Sequence, residues 1–242
     1  MEKNVELEQG IVLKTIDYQE NSKIIYILTN EGIKSAIVRG AKNIKSHTYS
    51  YAQPLVKIEF EIKKEKYIGA NKILNNYNNI KFDFDKVSCC LKIIEICYTL
   101  GEHITDSKLF YQFTSDILDL IEKTNKKYEV YELIFKIKTL YLLGVAPVFS
   151  KCVSCGNKEN LVGFAFNFGG MKCSNCMQID EFIYPSDTIK EIKNIYLIKL
   201  EKLVLLIQND ELKYNYDKIS RFLDLYYEQY LGFVSKVKKV LE

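Results

Sequence analysis

Four cysteines fall in two identical spacings. Cys152-Val153-Ser154-Cys155 and Cys173-Ser174-Asn175-Cys176 are separated by seventeen residues. A C-x2-C turn points two sulfurs to one side, and its backbone N–H groups stabilise thiolate charge. Two such turns complete a tetrahedron around Zn2+, and this separation lies within the four-cysteine zinc pattern. Because sulfur fills every position, the metal is expected to be structural, with no open site for water or substrate. The competing readings are redox chemistry and free thiols, but a redox C-x-x-C is ordinarily single and opens a helix after a strand. Gly156 suits the left-handed turn closing the first knuckle, and "LVGFAFNFGG" with "MKC" reads as a hairpin joining the two.

A second pattern is electrostatic. From Gly32 to Ile58 there is no Asp or Glu, while Lys34, Arg39, Lys42, Lys45 and Lys57 are all cationic. Such a strip can hold an anion, or it can be a solvated loop in a lysine-rich chain. Arginine occurs only at positions 39 and 221, so Arg39 is the informative cation. The abundance of Lys, Ile, Asn and Tyr reads as codon bias and lowers the weight of each lysine. His47, Tyr49 and Tyr51 add rings able to stack on bases.

Other chemistry is sparsely supported. His47 and His103 are the two histidines, and neither sits in a catalytic pattern. There is no P-loop, G-x-G-x-x-G or G-x-S-x-G. Asp83 and Asp85 in "DFD" could suggest a carboxylate pair, but at a helix start they complement the dipole. Cys89, Cys90 and Cys97 fall on an amphipathic pattern and read as small buried hydrophobes.

The elements that must position these groups follow from periodicity. "GIVLKTIDYQ", "SKIIYILT", "IKSAIVRG", "PLVKIEFEIKK" and "KYIGANKIL" read as five strands, with a turn at Asn30-Glu31-Gly32. Val56, Ile58, Phe60 and Ile62 alternate cleanly with Lys57, Glu59 and Glu61. Five short strands in so few residues predict a small antiparallel barrel or half-barrel; closure into a barrel removes exposed edges. A polar loop separates the third of these from the fourth.

From residue 84 the period becomes helical. "FDKVSCCLKIIEICYTLGEH" places Val87, Cys90, Leu91, Ile94, Cys97 and Tyr98 on one stripe. "KLFYQFTSDILDLIEK" and "YEVYELIFKIKTLYLLG" follow, the latter closed by Gly144 and Pro147. After the cysteines, "PSDTIKEIKNIY", "IKLEKLVLLIQ" and "YDKISRFLDLYYEQYLGFVSKVKKVL" are helical again.

The 242 residues, 48% hydrophobic and 13% aromatic, suffice to bury a core. A net charge of +3 is too small to argue for nucleic acid by itself. No apolar run is long enough to span a membrane, and no signal peptide is visible, so the expected compartment is the cytoplasm. Seven cysteines, an odd number without a secretion signal, argue against a disulfide framework.

The order of these features resembles the RecO family of bacterial recombination mediators. The N-terminal likeness rests on the acidic-polar turn Asp17–Glu20, the T-x-E-G turn Thr29–Gly32, the step Arg39-Gly40-Ala41-Lys42, and Gln53-Pro54. It continues in "LIFKIKTLYLLGVAPVFSKCVSCG" and in "LDLYYEQYLGFVSKVKKVL", with Leu231-Gly232 and Ser235-Lys236. Two stretches depart from the family's pattern: Asn43-Ile44 stand where a denser basic run is usual, and "YSYA" stands before Gln53-Pro54.

The resemblance implies an α+β multidomain chain: a five-stranded N-terminal OB-fold barrel, then an α-helical domain carrying a four-cysteine zinc module. The expected layout is 1–80 for the OB-fold, 81–150 for the first helical part, 151–180 for the zinc module and 181–242 for the C-terminal helical part. The resemblance implies a non-enzymatic DNA-repair protein, nucleoid-associated. Such a protein binds single- and double-stranded DNA, anneals strands, and acts with RecR to load RecA on DNA coated by single-strand-binding protein. It also contacts that protein's C-terminal tail. The expected sites are Cys152, Cys155, Cys173 and Cys176 for Zn2+, and Lys34, Arg39, Lys42, Lys45 and Tyr49 for DNA, with Tyr51 as an alternative stacking ring. The alternative function is a zinc-stapled protein–protein adaptor without direct DNA binding, using the aromatic run "FLDLYYEQYLGF" as its surface.

Overall fold

The computed structural model describes residues 7–63, 66–178, 183–184 and 186–241. Lys64, in the predicted fourth strand, and Pro185, at the start of a predicted helix, lie outside the described residues. The chain divides into two compact units: residues 1–125 with 235–242, and residues 126–234.

In the first unit, β1 (Glu8–Tyr18), β2 (Ser22–Thr29), β3 (Gly32–Val38), β4 (Lys57–Lys63) and β5 (Tyr67–Asn75) close a barrel in the order β1-β2-β3-β5-β4. This is the OB-fold's strand order. β1 serves both halves: Glu8–Ile11 pair with β4, Gly10–Tyr18 pair with β2, and a bulge between Val12 and Lys14 bends the strand from one to the other. The alternation read from the sequence holds. Val56, Ile58 and Phe60 are buried with Val12, Ile25, Ile27, Ala36 and Val38, and Ile62 packs partly against them. The seam closes where Ile37 of β3 pairs in parallel with Tyr67 of β5, and the Ile37 N–H donates to the Lys66 carbonyl at 2.8 Å.

Residues 40–53 are more ordered than a polar loop. The Ser46 hydroxyl accepts the Thr48 N–H at 3.2 Å and caps a short helix α1 (His47–Tyr51). Gln53 donates from its side chain to the Tyr49 carbonyl at 3.1 Å, closing the helix's other end.

After the barrel come α2 (Asn78–Lys81), α3 (Phe84–Leu100), a 3-10 turn (Gly101–His103) and α4 (Ser107–Lys123). The Asp83 carboxylate accepts the N–H groups of Asp85 and Lys86, both at 3.1 Å, so "DFD" is a helix cap. Cys89, Cys90 and Cys97 are buried, and burial pushes the Cys97 thiol up to about 12. The buried face of α3 is broader than the predicted stripe. Ile93 and Ile96 are buried while Leu91 and Tyr98 stay partly exposed. The helix packs on the barrel and on other helices of its unit, so one narrow seam does not describe it.

The second unit holds α5 (Glu129–Leu142), a small sheet of β6 (Leu161–Ala165), β7 (Gly170–Cys173) and β8 (Ile183–Tyr184), then α6 (Ser186–Leu197), α7 (Leu200–Gln208) and α8 (Tyr216–Leu231). Gly144 ends α5 at φ +75°, with its N–H on the Tyr141 carbonyl and the Val145 N–H on Leu140, both at 3.0 Å. That pair of bonds is a Schellman cap, which needs a residue tolerant of positive φ. α5 is buried over most of its length, and among its buried residues are Lys136 and Glu132, whose charges lie 2.9 Å apart.

The last predicted helix is two helices. Gly232, at φ +60°, stops α8, and α9 (Lys236–Leu241) begins four residues later as part of the first unit.

Candidate metal centre and nucleic-acid interface

The sulfurs of Cys152, Cys155, Cys173 and Cys176 all lie within 4.8 Å of one another. β6 and β7 form the hairpin that brings the two knuckles together, pairing Leu161 with Cys173 and Ala165 with Gly170. Each knuckle is a turn stabilised by its own backbone. The Gly156 N–H donates to the Cys152 carbonyl at 2.9 Å, and the Cys176 N–H donates to the Cys173 carbonyl at 3.0 Å. Gly156 takes φ +77°, the left-handed conformation expected of it.

The donor set fits a divalent ion. A tetrahedron with metal–sulfur bonds of about 2.3 Å has sulfur–sulfur edges of about 3.8 Å; Cys155 and Cys173 stand 3.7 Å apart. A backbone hydrogen bond from Cys173, aided by those from Cys155 and Ser154, pulls the Cys152 thiol down to about 6. The Cys176 thiol is pushed up to about 12 by its hydrogen bonds to Cys155 and Cys173. Four sulfurs this close cannot all shed their protons without a cation to offset the charge. Cys152 and Cys173 are buried, while Cys155 is exposed.

The hairpin is locked onto the helices by rings. Phe164 and Phe166 lie 5.3 and 5.8 Å from Phe222 of α8, and Tyr184 lies 5.1 Å from it. Tyr230 donates its hydroxyl to the Phe166 carbonyl at 2.7 Å. Phe222, Tyr226 and Tyr227 are buried, so the aromatic run "FLDLYYEQYLGF" is mostly core rather than an exposed docking surface.

On the barrel, the stretch without acids in sequence is not without acids in space. Lys34 lies 2.5 Å from Glu8 and 2.6 Å from Glu31, carboxylates of β1 and of the β2–β3 turn. Burial disfavours its charge, but hydrogen bonds to Glu31 and Glu8 more than compensate and raise its pKa. Lys42 reaches back to the β1–β2 turn, donating to the Gln19 carbonyl at 2.8 Å and sitting 3.4 Å from Asp17. It braces the loop as well as charging it.

The rest of the step Arg39-Gly40-Ala41-Lys42 has a simple geometry. Arg39 is exposed, Gly40 turns the chain, and Ala41 is buried in the barrel core. The Arg39 guanidinium carbon lies 4.0 Å from the centroid of the Tyr67 ring. Lys45 is exposed on the same loop. Tyr49 is partly exposed, with the Lys23 ammonium 5.5 Å from its centroid. Tyr51, offered above as a stacking ring, is buried in the barrel core and unavailable, because α1 turns its side chain inward. His47 is exposed at the start of α1, and His103 is exposed in the 3-10 turn.

Sequence reasoning missed Lys23, Lys66 and Tyr67, which come to Arg39 and Tyr49 only through strand pairing. Lys23 pairs with Val38, next to Arg39, and Tyr67 pairs with Ile37. The signal that could have found them is barrel closure, which brings the start of β5 to the end of β3.

A closed OB barrel, followed by helices that carry a four-cysteine hairpin able to hold a metal ion, defines a class of barrel proteins with a helical body. The comparisons with known proteins narrow that class. A family model described as Recombination protein O N terminal matches residues 1–74, and one described as Recombination protein O C terminal matches residues 81–239. The DNA repair protein RecO of Oceanobacillus iheyensis is 30% identical over 243 residues, covering 96% of this chain and 91% of the relative. Its counterpart in Caldanaerobacter subterraneus subsp. tengcongensis is 30% identical over 218 residues, covering 88% and 82%. The one in Bacillus subtilis is 26% identical over 242 residues, covering 97% and 92%. The chain belongs to the RecO family. Among the described residues, no helix is long and apolar enough to cross a membrane.

Proposed function

We propose that this chain is a DNA-binding recombination mediator and strand-annealing factor in recombinational DNA repair. It acts by binding rather than by catalysis, in the cytoplasm and on the nucleoid. The observation that carries the reading is the segment after β3 of the barrel, which bears Arg39, Lys42, Lys45 and Tyr49 without an acid among them, in a chain that belongs to the RecO family. Phosphate contacts release counterions and carry no sequence information, which suits a factor that must accept any strand. Lys34 contributes least, since Glu8 and Glu31 already neutralise it.

In this reading the chain acts with RecR to load RecA onto DNA coated by single-strand-binding protein, whose C-terminal tail it contacts. The family resemblance supports these partners. The four cysteines hold one Zn2+ that braces the hairpin against α8 and takes no part in DNA binding.

The test is annealing of complementary oligonucleotides, bare and coated, across a salt titration. Annealing is expected to fall steeply with salt, and Arg39→Glu with Lys42→Glu to weaken DNA binding and flatten its salt slope. Unchanged affinity of that variant at moderate salt would remove the barrel from the account. Binding that requires a partner protein would favour the adaptor reading.

A further inference from the structure

This inference rests on the DNA-binding reading just given and extends it to residues outside the basic strip. Arg39 ends β3 at the barrel seam, and the Tyr67 ring lies beneath its guanidinium at 4.0 Å. Among the described residues, no carboxylate pairs with Arg39, whereas Lys34 and Lys42 are both held by acids. The fold sets where this residue stands, because Tyr67 opens β5 and its backbone is paired with Ile37. The loop beyond Arg39 is also ordered. The Ser46 N–H donates to the Asn43 carbonyl at 2.9 Å, and the Lys45 N–H donates to the Asn43 side chain at 3.0 Å.

An exposed arginine ordinarily loses rotamer freedom when it binds, which weakens the contact. A guanidinium resting on a ring has lost that freedom beforehand. Its N–H donors lie in the guanidinium plane, so stacking leaves them available for a phosphate. Lys23 over Tyr49 at 5.5 Å repeats the arrangement on the neighbouring strand, and Lys66 lies 6.0 Å from the Tyr67 centroid.

We propose that Tyr67 is a positioning residue for DNA binding: its ring holds Arg39 ready at the barrel seam to engage a phosphodiester, with Lys23 and Lys66 as flanking cations. The ligand class is the sugar–phosphate backbone of single- or double-stranded DNA.

The test measures anisotropy of a labelled oligothymidylate and of a labelled duplex at several salt concentrations, using full-length protein with thermal melts as fold controls. Tyr67→Phe keeps the ring and is expected to bind as the parent does. Tyr67→Leu and Arg39→Lys are each expected to weaken binding roughly two- to fivefold. The double variant is expected to be no weaker than the worse single, since both remove one arrangement. None of these changes net charge, so the salt slope stays constant; Arg39→Glu lowers it. Parental affinity in Tyr67→Leu, or in Arg39→Lys, overturns the positioning role even where Arg39→Glu still weakens binding. Parental affinity in Arg39→Glu overturns the underlying DNA-binding reading instead. Should Tyr67→Leu fail to fold, Tyr67→Met takes its place beside Arg39→Lys and in the double variant, and parental affinity in Tyr67→Met likewise overturns the positioning role.

Discussion

The Glu95 carboxylate, within α3, accepts the backbone N–H of Lys236 at 2.8 Å across 141 positions of sequence. It also accepts the Ser235 hydroxyl at 2.5 Å, and the Ser235 oxygen in turn accepts the Lys238 N–H at 3.0 Å. The start of α9 is therefore capped partly by its own serine and partly by another helix.

Removing that carboxylate should release the helix. Glu95→Ala is expected to cost about 1 kcal/mol, as loss of a cap does. It should also expose the peptide bonds after Lys236, Lys238 and Lys239 to trypsin. Hydrogen exchange across 235–241 is the direct measurement, and unchanged protection there would mean that α9 holds by packing alone.

The ion cluster of α5 and α8 makes a sharper claim. Lys136 lies 2.9 Å from Glu132 and 3.0 Å from Asp224, with Lys136 and Glu132 both buried. Burial opposes the ammonium charge, but Glu132 and then Asp224 hold the group above the ordinary lysine range. Lys136→Met leaves a buried carboxylate without its cation and should lose about 3–5 kcal/mol. Adding Glu132→Leu should recover most of it. Denaturant midpoints of the two variants decide this, and a double variant no better than the single contradicts it.

The cysteine hairpin should carry one zinc per chain. A thiol-modifying reagent is expected to release one equivalent, and Cys155→Ser to abolish retention of the metal. The chain has no tryptophan, and Tyr184, Tyr226 and Tyr230 contact Phe164 or Phe166 of the hairpin, so near-ultraviolet circular dichroism should report its collapse. An unaltered tyrosine spectrum after metal removal would show that the hairpin stands without the ion.

Lys81 offers a test in pH. Burial pulls its ammonium down to about 8, and Glu122 restores only part of the loss. Between pH 8 and the ordinary lysine pKa the unfolded chain binds more protons here, so stability contributed by this site rises with pH through that window. Lys81→Met should therefore stabilise the protein near neutrality, by no more than about 1–2 kcal/mol once solvent screening is allowed for. Urea melts of both proteins should converge as pH rises through the window; a constant difference would exclude the mechanism.

Periodicity made the barrel legible because each strand has one wet and one dry face. Val56, Ile58 and Phe60 could hardly be read otherwise, and the two C-x2-C turns carry their geometry in their spacing. What the sequence hid are relations between distant residues. Nothing near Lys34 in the chain announces Glu8, and nothing near Arg39 announces Tyr67. Tyr51 looked like Tyr49 because a short helix, unseen in a polar stretch, decides which ring turns inward. Leu231-Gly232 was visible, but an unbroken apolar period on both sides concealed that α8 ends there.

That break has a consequence for biosynthesis. The polypeptide leaves the barrel's unit after residue 125 and returns to it only at 235, with the whole cysteine-bearing unit translated in between. On the ribosome, the hairpin emerges and can collapse first, while α3 waits with one flank uncovered for α9. The part of the molecule made earliest is thus completed last, and a released chain truncated before Ser235 would keep the whole second unit while its first lacks α9.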